Sequence, residues 1–500
     1  MSLLAAIDQG TTGTRCFLFD LAGRVVASAY REHAQIFRQP GWVEHDALEI
    51  RDNVDRVVAD AVAAGPREPV LAVGVTNQRE TVVLWDARSG LPIAPAIVWQ
   101  DTRTDTDCRA LIAGGFETEV RARTGLPIRT YFSATKIRWL LANVPEAKPL
   151  AASGRLRIGT MDSWVIWNLT GGPRGGAHVT DPTNASRTLL CALATLAWDL
   201  ELLDRFEVMA EALPRIEPSI AAEPYGWTLA DGPFGARVPV CADLGDQQAA
   251  LFGQACFRAG EAKNTYGTGS FLLQHTGDTP SVSRFGLLVT AAGAPPGERA
   301  YALEGSVAVT GSAVQWLRDG LGLIATAAET EPLARSVPDT GGVYFVPAFS
   351  GLFAPHWDMS ARGTIVGLTR FATRAHLVRA TLEAIAFQSR EVLEAMVNDS
   401  ARAPQALKVD GGATENNFLM QLQADILGIP VVRPAVRETT ALGAAQAAGL
   451  GCGAYASLAE LSRLWREDRT FEPDWSAARR EETYRGWTRA VARSRGWIET

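Results

Sequence analysis

Two short knots of glycine and threonine stand beside apolar segments, Gly10-Thr11-Thr12-Gly13 and Gly267-Thr268-Gly269. Glycine lets a turn bring its backbone N–H groups close to a bound group, so each knot suits a phosphate chain. The hydroxyls of Thr11, Thr12 and Thr268 would add donors, and Asp8, at the end of the first apolar run, would hold a magnesium ion directly or through water. The plainer reading is a pair of hairpins in which threonine serves β-propensity, and the residues alone leave both readings open. No G-x-x-x-x-G-K followed by Ser or Thr occurs, so a P-loop is excluded. Gly449-Leu450-Gly451-Cys452-Gly453-Ala454 follows a helical pattern rather than a strand and reads as a helix end, not a dinucleotide fingerprint.

Two further constellations carry charge. In Asp243-Leu244-Gly245-Asp246-Gln247-Gln248, Asp246 sits where a helix begins, and its structural role would be an N-cap. The helix N-terminus also favours a charged carboxylate, so the same residue could take a proton or approach a metal. Thr76-Asn77-Gln78-Arg79-Glu80 follows an apolar strand. Its adjacent Arg and Glu offer donors and an acceptor side by side, which suits a polyol, whose hydroxyls both give and take hydrogen bonds. Without context, a surface ion pair is the simpler account. Trp85, Trp99 and Trp139 read as core packing.

These residues must be positioned by a chain of 500 residues, long enough for two or three domains. The net charge of −7 comes without any long basic block, which argues against nucleic acid or an anionic membrane surface as partner. Six cysteines without a C-x-x-C pair argue against a disulfide framework and a zinc site, and point to a reducing compartment. No basic leader and no apolar run of membrane-spanning length occurs, so a soluble cytoplasmic protein is expected.

The periodicity predicts strands over Leu3 to Ile7, Arg15 to Phe19 and Val25 to Ala29, joined as an antiparallel meander. A helix follows from Asp46, where Asp46 and Glu49 resemble a capping box, to the stop at Gly65-Pro66; then comes a buried strand, Val70 to Val75. Meander, helix and buried strand make an α/β pattern with helices covering a sheet. The second knot again precedes an apolar strand, suggesting two lobes with similar openings and a boundary near Leu251. Later, His376 to Val397 reads as a long helix, Ala406 to Val409 as a strand, Asp410-Gly411-Gly412 as a turn, and Asn416 to Leu427 and Ala441 to Leu450 as helices.

Taken together, IDQGTTGTR, GWVEHD, TNQRET, IVWQD, YFSATK, DPTNASRT, GDQQAALFGQ, NTYGTGSF, ALEGSVAVTGSAVQWLRD, VDGGATENNFLMQ and TALGAA resemble the FGGY family of carbohydrate kinases. The resemblance runs from about Leu4 to Leu450. GWVEHD, TNQRET and GDQQAALFGQ with NTYGTG behind it are closer to the glycerol-specific branch. It implies two α/β domains of the actin, hexokinase and Hsp70 type, also described as ribonuclease H-like, here residues 1–250 and 251–500, with ATP and substrate in the cleft between them. The first knot becomes a phosphate hairpin formed by Thr11, Thr12 and Gly13 with Arg15 behind it, and Thr268 belongs to a second hairpin. Gly311 and Gln315 would lie along the nucleotide path, with Gly412 and Asn416 beside the adenosine. Gly13 stands where the family usually has serine, which removes one hydroxyl contact to ATP.

The resemblance further implies a glycerol pocket using Arg79, Glu80, Tyr131, Asp246 and Gln247 for the hydroxyls, with Trp99 and Phe271 against the carbons. Asp246 would be the general base, and Asp8 and Asp246 would place Mg2+. A kinase for another polyol or a ketose is the alternative, and an actin-like or Hsp70-like ATPase is a more distant one. Family members are often dimers or tetramers, so a homodimer or homotetramer is expected. Some respond to fructose 1,6-bisphosphate near the position of Gly235-Ala236-Arg237. Others are activated through a phosphohistidine in the 225–235 segment, which has no histidine here, so that control is not expected.

Overall fold

Leu3 to Ile7 is apolar at every position because both faces of its strand are covered. In the computed structural model, which describes residues 2–280 and 282–498, the strand runs Leu3–Gln9 at the centre of a six-stranded sheet. Its order is Gly226–Trp227, Pro239–Gly245, Val70–Asn77, Leu3–Gln9, Gly13–Asp20, Val25–Glu32. The first three strands in sequence form the antiparallel meander, and Val70–Asn77 and Pro239–Gly245 add parallel to it. Leu3, Ala5 and Ile7 point to one face, where Val54, Val57, Val58 and Ala61 of the helix Ala47–Ala64 meet them. Leu4 and Ala6 point to the other, under Ala441, Ala444 and Ala445 of the helix Thr439–Gly451.

The second sheet repeats the plan, as the recurring glycine-threonine knot suggested. Ala262–Tyr266, Ser270–Gly277 and Ala300–Val307 lie side by side antiparallel, with Leu288–Ala292 outside Ala300–Val307, and Leu407–Asp410 and Val431–Pro434 add in parallel on the other side. The long helix is Arg374–Ser400, which packs Leu382, Ile385 and Phe387 into one core with Leu272, Leu303 and Val409. Between Val82 and Ile216 the first lobe carries an insertion with its own core, three of whose strands join Glu44–His45 in a four-stranded sheet, and it supplies Trp99, Tyr131 and Arg187.

Three local expectations change. Asp46 does cap its helix by accepting from Leu48 N at 2.9 Å, but Glu49 does not complete a capping box. Its carboxylate accepts from Ala34 N instead, because the meander passes close enough to compete. Asp246 is the first helical residue and Gly245 takes the cap position. Trp85 is core, while Trp99 is only half-buried. All six cysteines are free, and no helix of the described residues is long and apolar enough to cross a membrane.

The lobes are joined where Asp246–Gly253 and Thr439–Gly451 cross, each helix following the last parallel strand of its own sheet. Backbone touches backbone there. A Cβ at Gly443 would lie 1.9 Å from Ala249 O, and one at Gly253 would lie 2.0 Å from Thr439 O. Gly74 likewise accepts the passing carbonyl of Ala444, 2.0 Å from any added Cβ. In an isolated helix Gly→Ala is favourable by ~1 kcal/mol. At this crossing the sign reverses: Gly443→Ala is expected to be destabilising by about 1–3 kcal/mol, as overpacked cores are. A thermal melt of the variant checks this, with a lowered midpoint expected; an unchanged or raised midpoint would show that the helices separate at little cost.

Candidate active site

The strand Val70–Asn77 ends in a reversal that buries two opposite charges. Thr81 N donates to Arg79 O at 2.8 Å, closing a γ-turn around Glu80, whose φ is 63°. A side-chain-bearing residue in that region is strained by about 1–3 kcal/mol, so surrounding contacts must hold it. They do. Ser133 Oγ donates to Glu80 O at 3.0 Å, and Arg187 Nε donates to Glu80 Oε1 at 2.6 Å. Arg79 is 3% exposed and Glu80 2%, which rules out a surface ion pair, and the two side chains pair with other residues rather than with each other.

Arg79 is committed on nearly every side. Its Nε lies 3.2 Å from Asp246 Oδ1, its Nη1 donates to Gln248 Oε1 at 3.2 Å, and its fork grips Glu304, with Nη2 donating to Oε1 at 3.0 Å. Gly245 makes this packing possible, since a Cβ there would lie 2.6 Å from Arg79 Cδ. The DPTNASRT segment braces the same corner. Asp181 caps the short helix Pro182–Ala185, and Thr183 Oγ1 accepts from Gly245 N at 2.8 Å, fixing the chain just before Asp246.

Asp246 Oδ1 accepts from Gln247 N at 2.7 Å and faces Arg79 Nε as an ion pair, which leaves Oδ2, on a side chain that is 29% exposed, without a partner among the described residues. Gln247 Oε1 accepts from the buried Lys263 Nζ at 2.6 Å, and that ammonium also donates to Phe271 O at 3.3 Å. Burial pushes Lys263 down to about 8, against the pull of Asp410 and Asp246. Asp8 pairs in register with Arg15 on the neighbouring strand. Burial pushes its carboxyl up to about 7; Arg15 opposes this, while Asp246 and Glu438 add to it. Arg15 itself turns to Glu438 at 3.5 Å and lies over the Tyr30 ring.

Both knots are hairpin turns with their carbonyls tied back. In the first, Gly10 N donates to Gly13 O at 2.9 Å, Gln35 Nε2 donates to Thr11 O at 2.9 Å, and His33 N donates to Thr12 O. Gln35 is itself held by His45 at 2.9 Å. In the second, Gly267 N donates to Gly269 O at 2.8 Å, and the helix Gly311–Asp319 starts on it, with Gly311 N donating to Gly267 O and Ser312 N to Thr268 O. Carbonyl oxygens secured from behind leave a turn whose outward partial charge is positive, which is what an anionic ligand needs. Trp99 Nε1 donates to Thr11 Oγ1 at 2.9 Å and its ring meets Tyr131 edge-on at 5.5 Å, so the aromatic wall touches the first hairpin directly.

A cavity of about 550 Å³ opens beside the second hairpin, lined by Thr268, Gly311, Gln315, Gly412 and Asn416 among others. All five second-lobe residues expected on the nucleotide path thus share one space. Gly411, at φ 89°, lets this turn press against Tyr266, since a Cβ there would lie 2.3 Å from Tyr266 O; a Cβ on Gly412 would meet nothing within 4 Å. Asn416 caps the helix Asn417–Leu427 and donates to Thr330 Oγ1, so much of its side chain serves the fold. Gly13 is buried: a Cβ would lie 2.5 Å from Tyr30 Cε2 and 2.7 Å from Arg31 O, so a serine here requires both the Tyr30 ring and the neighbouring strand's backbone to move.

The sequence reading placed Arg79, Glu80, Tyr131, Asp246, Gln247 and Trp99 together, and a contiguous set of contacts links them. It missed Glu304, Arg187, Gln248 and Lys263. The signal for Glu304 and Lys263 was a lone charge inside an otherwise uncharged strand, AYALEGSV and AKNTY.

Comparison with known proteins agrees with this arrangement. The model of the FGGY carbohydrate kinase N-terminal domain matches residues 3–253, and that of the C-terminal domain matches residues 262–452. A glycerol kinase of Saccharopolyspora erythraea is 56% identical over 501 residues, covering 100% of both chains. One from Mycobacterium tuberculosis is 55% identical, covering 99% of this chain and 96% of that protein. The crystal structure of Plasmodium falciparum glycerol kinase with ADP superposes with a TM-score of 0.92 at 37% identity, over 100% of this chain and 99% of that one. A xylulose kinase from Rhodospirillum rubrum superposes at 0.86 with 27% identity, each chain 98% covered. With two lobes of one plan, a buried charged cluster shared between them and both domain models matched in order, the chain belongs to the FGGY family of carbohydrate kinases.

Proposed function

We infer that the chain catalyses the ATP-dependent phosphorylation of glycerol to sn-glycerol 3-phosphate. One observation carries the choice of substrate: the buried Arg79–Glu80 turn joined to Asp246, within a chain that matches glycerol kinases from end to end. A kinase for another polyol or a ketose is not favoured, because the relatives that cover the whole chain at 53–56% identity are glycerol kinases.

The division of labour follows the two halves, residues 1–250 for glycerol and the first hairpin, 251–500 for the nucleotide. Arg79, Glu80, Tyr131, Asp246 and Gln247 take the hydroxyls, and Trp99 and Phe271 cover the carbons. The cavity beside Thr268, Gly311, Gln315, Gly412 and Asn416 suits the nucleoside, and Thr11, Thr12, Gly13 and Arg15 approach the phosphates from the facing lobe. Asp246 Oδ2 takes the proton of a terminal hydroxyl while that oxygen forms its bond to the γ-phosphorus and the bond to the ADP oxygen breaks. Asp8 and Asp246 fit Mg2+, since two carboxylates with the phosphates are its usual protein-side set and a cation would relieve the cost of ionising buried Asp8. When bound, the ion neutralises charge on the phosphates. The backbone N–H groups of both hairpins, aimed where that charge spreads, lower the barrier without covalent work by the protein. Closure of the lobes would keep water from replacing glycerol as acceptor.

A coupled assay of glycerol-dependent ADP formation by the purified chain tests the reading, and excess EDTA should stop it until Mg2+ is restored. Asp246→Asn is expected to cut kcat by about 10²–10⁴-fold while glycerol binding stays measurable by calorimetry; near-normal turnover would remove Asp246 from the proton transfer. Gly412→Val should leave the melting midpoint unchanged, because its added Cβ meets open space, and raise the KM for ATP by about tenfold or more. An unchanged KM would place the base elsewhere.

A further inference from the structure

Glu304 lies in the strand Ala300–Val307 of the second lobe, paired with Leu273 of the neighbouring strand. Its partners, Arg79 and Arg187, come from the first. Its side chain is 0% exposed, that of Arg79 2% and that of Arg187 0%, so two cations and the two carboxylates of Glu80 and Glu304 sit together out of water, with the part-exposed Asp246 at the edge of Arg79. Such a group survives burial only when each charge is paired and oriented. Glu304 uses both oxygens: each takes one branch of the Arg79 fork, and Oε1 also lies 3.1 Å from Arg187 Nη2. Burial alone would raise its carboxyl, and Arg187 and Arg79 overcome this to hold it at about 2.

The count of hydrogen-bonding groups gives this cluster a use. A guanidinium has five N–H donors. In Arg79, Nη1 serves Glu304 and Gln248 and one hydrogen of Nη2 serves Glu304, while Nε faces Asp246 at 3.2 Å as an ion pair, so the second Nη2 hydrogen is left. Glu80 gives Oε1 to Arg187, so Oε2 is left. Arg187 Nη1 and Nη2 are buried without a hydrogen-bond partner among the described residues, so the Nη2 hydrogen of Arg79 and Oε2 of Glu80 are the donor and acceptor that match the needs of adjacent hydroxyls.

We propose that Glu304 is a positioning residue for the polyol, reaching across from the second lobe to set the guanidinium of Arg79, so that the donor–acceptor pair is assembled only when the lobes are apposed. The proposal rests on the glycerol reading above. It concerns the polyol, not the nucleotide, because neither Glu304 nor Arg79 lines the cavity beside the second hairpin.

Steady-state kinetics of the unaltered chain and Glu304→Gln, with glycerol and ATP varied separately, test it. A charged partner lost from Arg79 should raise the KM for glycerol by about tenfold or more, with the KM for ATP changed less than about twofold. Glu304→Asp keeps the charge on a shorter stem, and its KM for glycerol should fall between the other two. Should Glu304→Gln fail to fold, Glu304→Asp carries the test alone, with a raised glycerol KM expected. The proposal is overturned if both KM values are unchanged, if they rise together, or if Asp is no better than Gln. An unaltered chain without glycerol-dependent ADP formation would overturn the glycerol reading itself and this inference with it.

Discussion

Two positive and two negative side chains sit together where no water reaches them, and much of the site follows from how they are kept apart from solvent. Arg79, Arg187, Glu80 and Glu304 each would be costly to bury alone. Held in one cluster they cancel, and the cancellation demands fixed geometry. The strained turn at Glu80 is held by Arg187 and Ser133, and Gly245 is bare so that Arg79 can lie flat against it. The start of the Asp246 helix is tied by Thr183 to the segment that supplies Arg187. A single electrostatic constraint thus links the insertion, both sheets and the interlobe helix.

The two hairpins show the same economy of means in each lobe. A short antiparallel turn keeps its carbonyls occupied from behind and presents its other edge outward. In the first lobe the backing comes from the Gln35 and Gln78 side chains and the His33 backbone N–H, with His45 holding Gln35. In the second it is the start of a helix, Gly311–Asp319. The Trp99–Thr11 hydrogen bond joins the aromatic wall to the first of these turns, so the groups assigned to the alcohol and to the phosphates are neighbours in contact rather than separate devices.

Much of the fold was legible in the sequence because it is written locally. Leu3 to Ile7, Val70 to Val75 and Ala406 to Val409 are apolar runs flanked by turn residues, and each is a strand, although Val70–Asn77 continues two residues past the apolar run. Gly428, at φ 73°, stops its helix where glycine was expected to. The glycine-threonine recurrence suggested a strand-turn-strand at the start of each lobe, and each knot does join two antiparallel strands. Glu49 was misread because its competitor, Ala34 N, belongs to a different element. The cluster was hidden for the same reason: Arg79 and Glu304 are 225 residues apart, and Arg187 and Glu80 are 107 apart. No spacing rule reaches that far. What the sequence does carry is an anomaly, a carboxylate in a strand with no other charge, which only a buried partner can explain.

The central claim is that buried charge from both lobes leaves one donor on Arg79 and one acceptor on Glu80 for the alcohol. A crystal structure of the chain with glycerol and ADP tests it most directly. The account requires neighbouring glycerol hydroxyls on Arg79 Nη2 and Glu80 Oε2 with the Arg79–Glu304 fork intact. Glycerol bound with that fork broken, or with its hydroxyls on other groups, would contradict it.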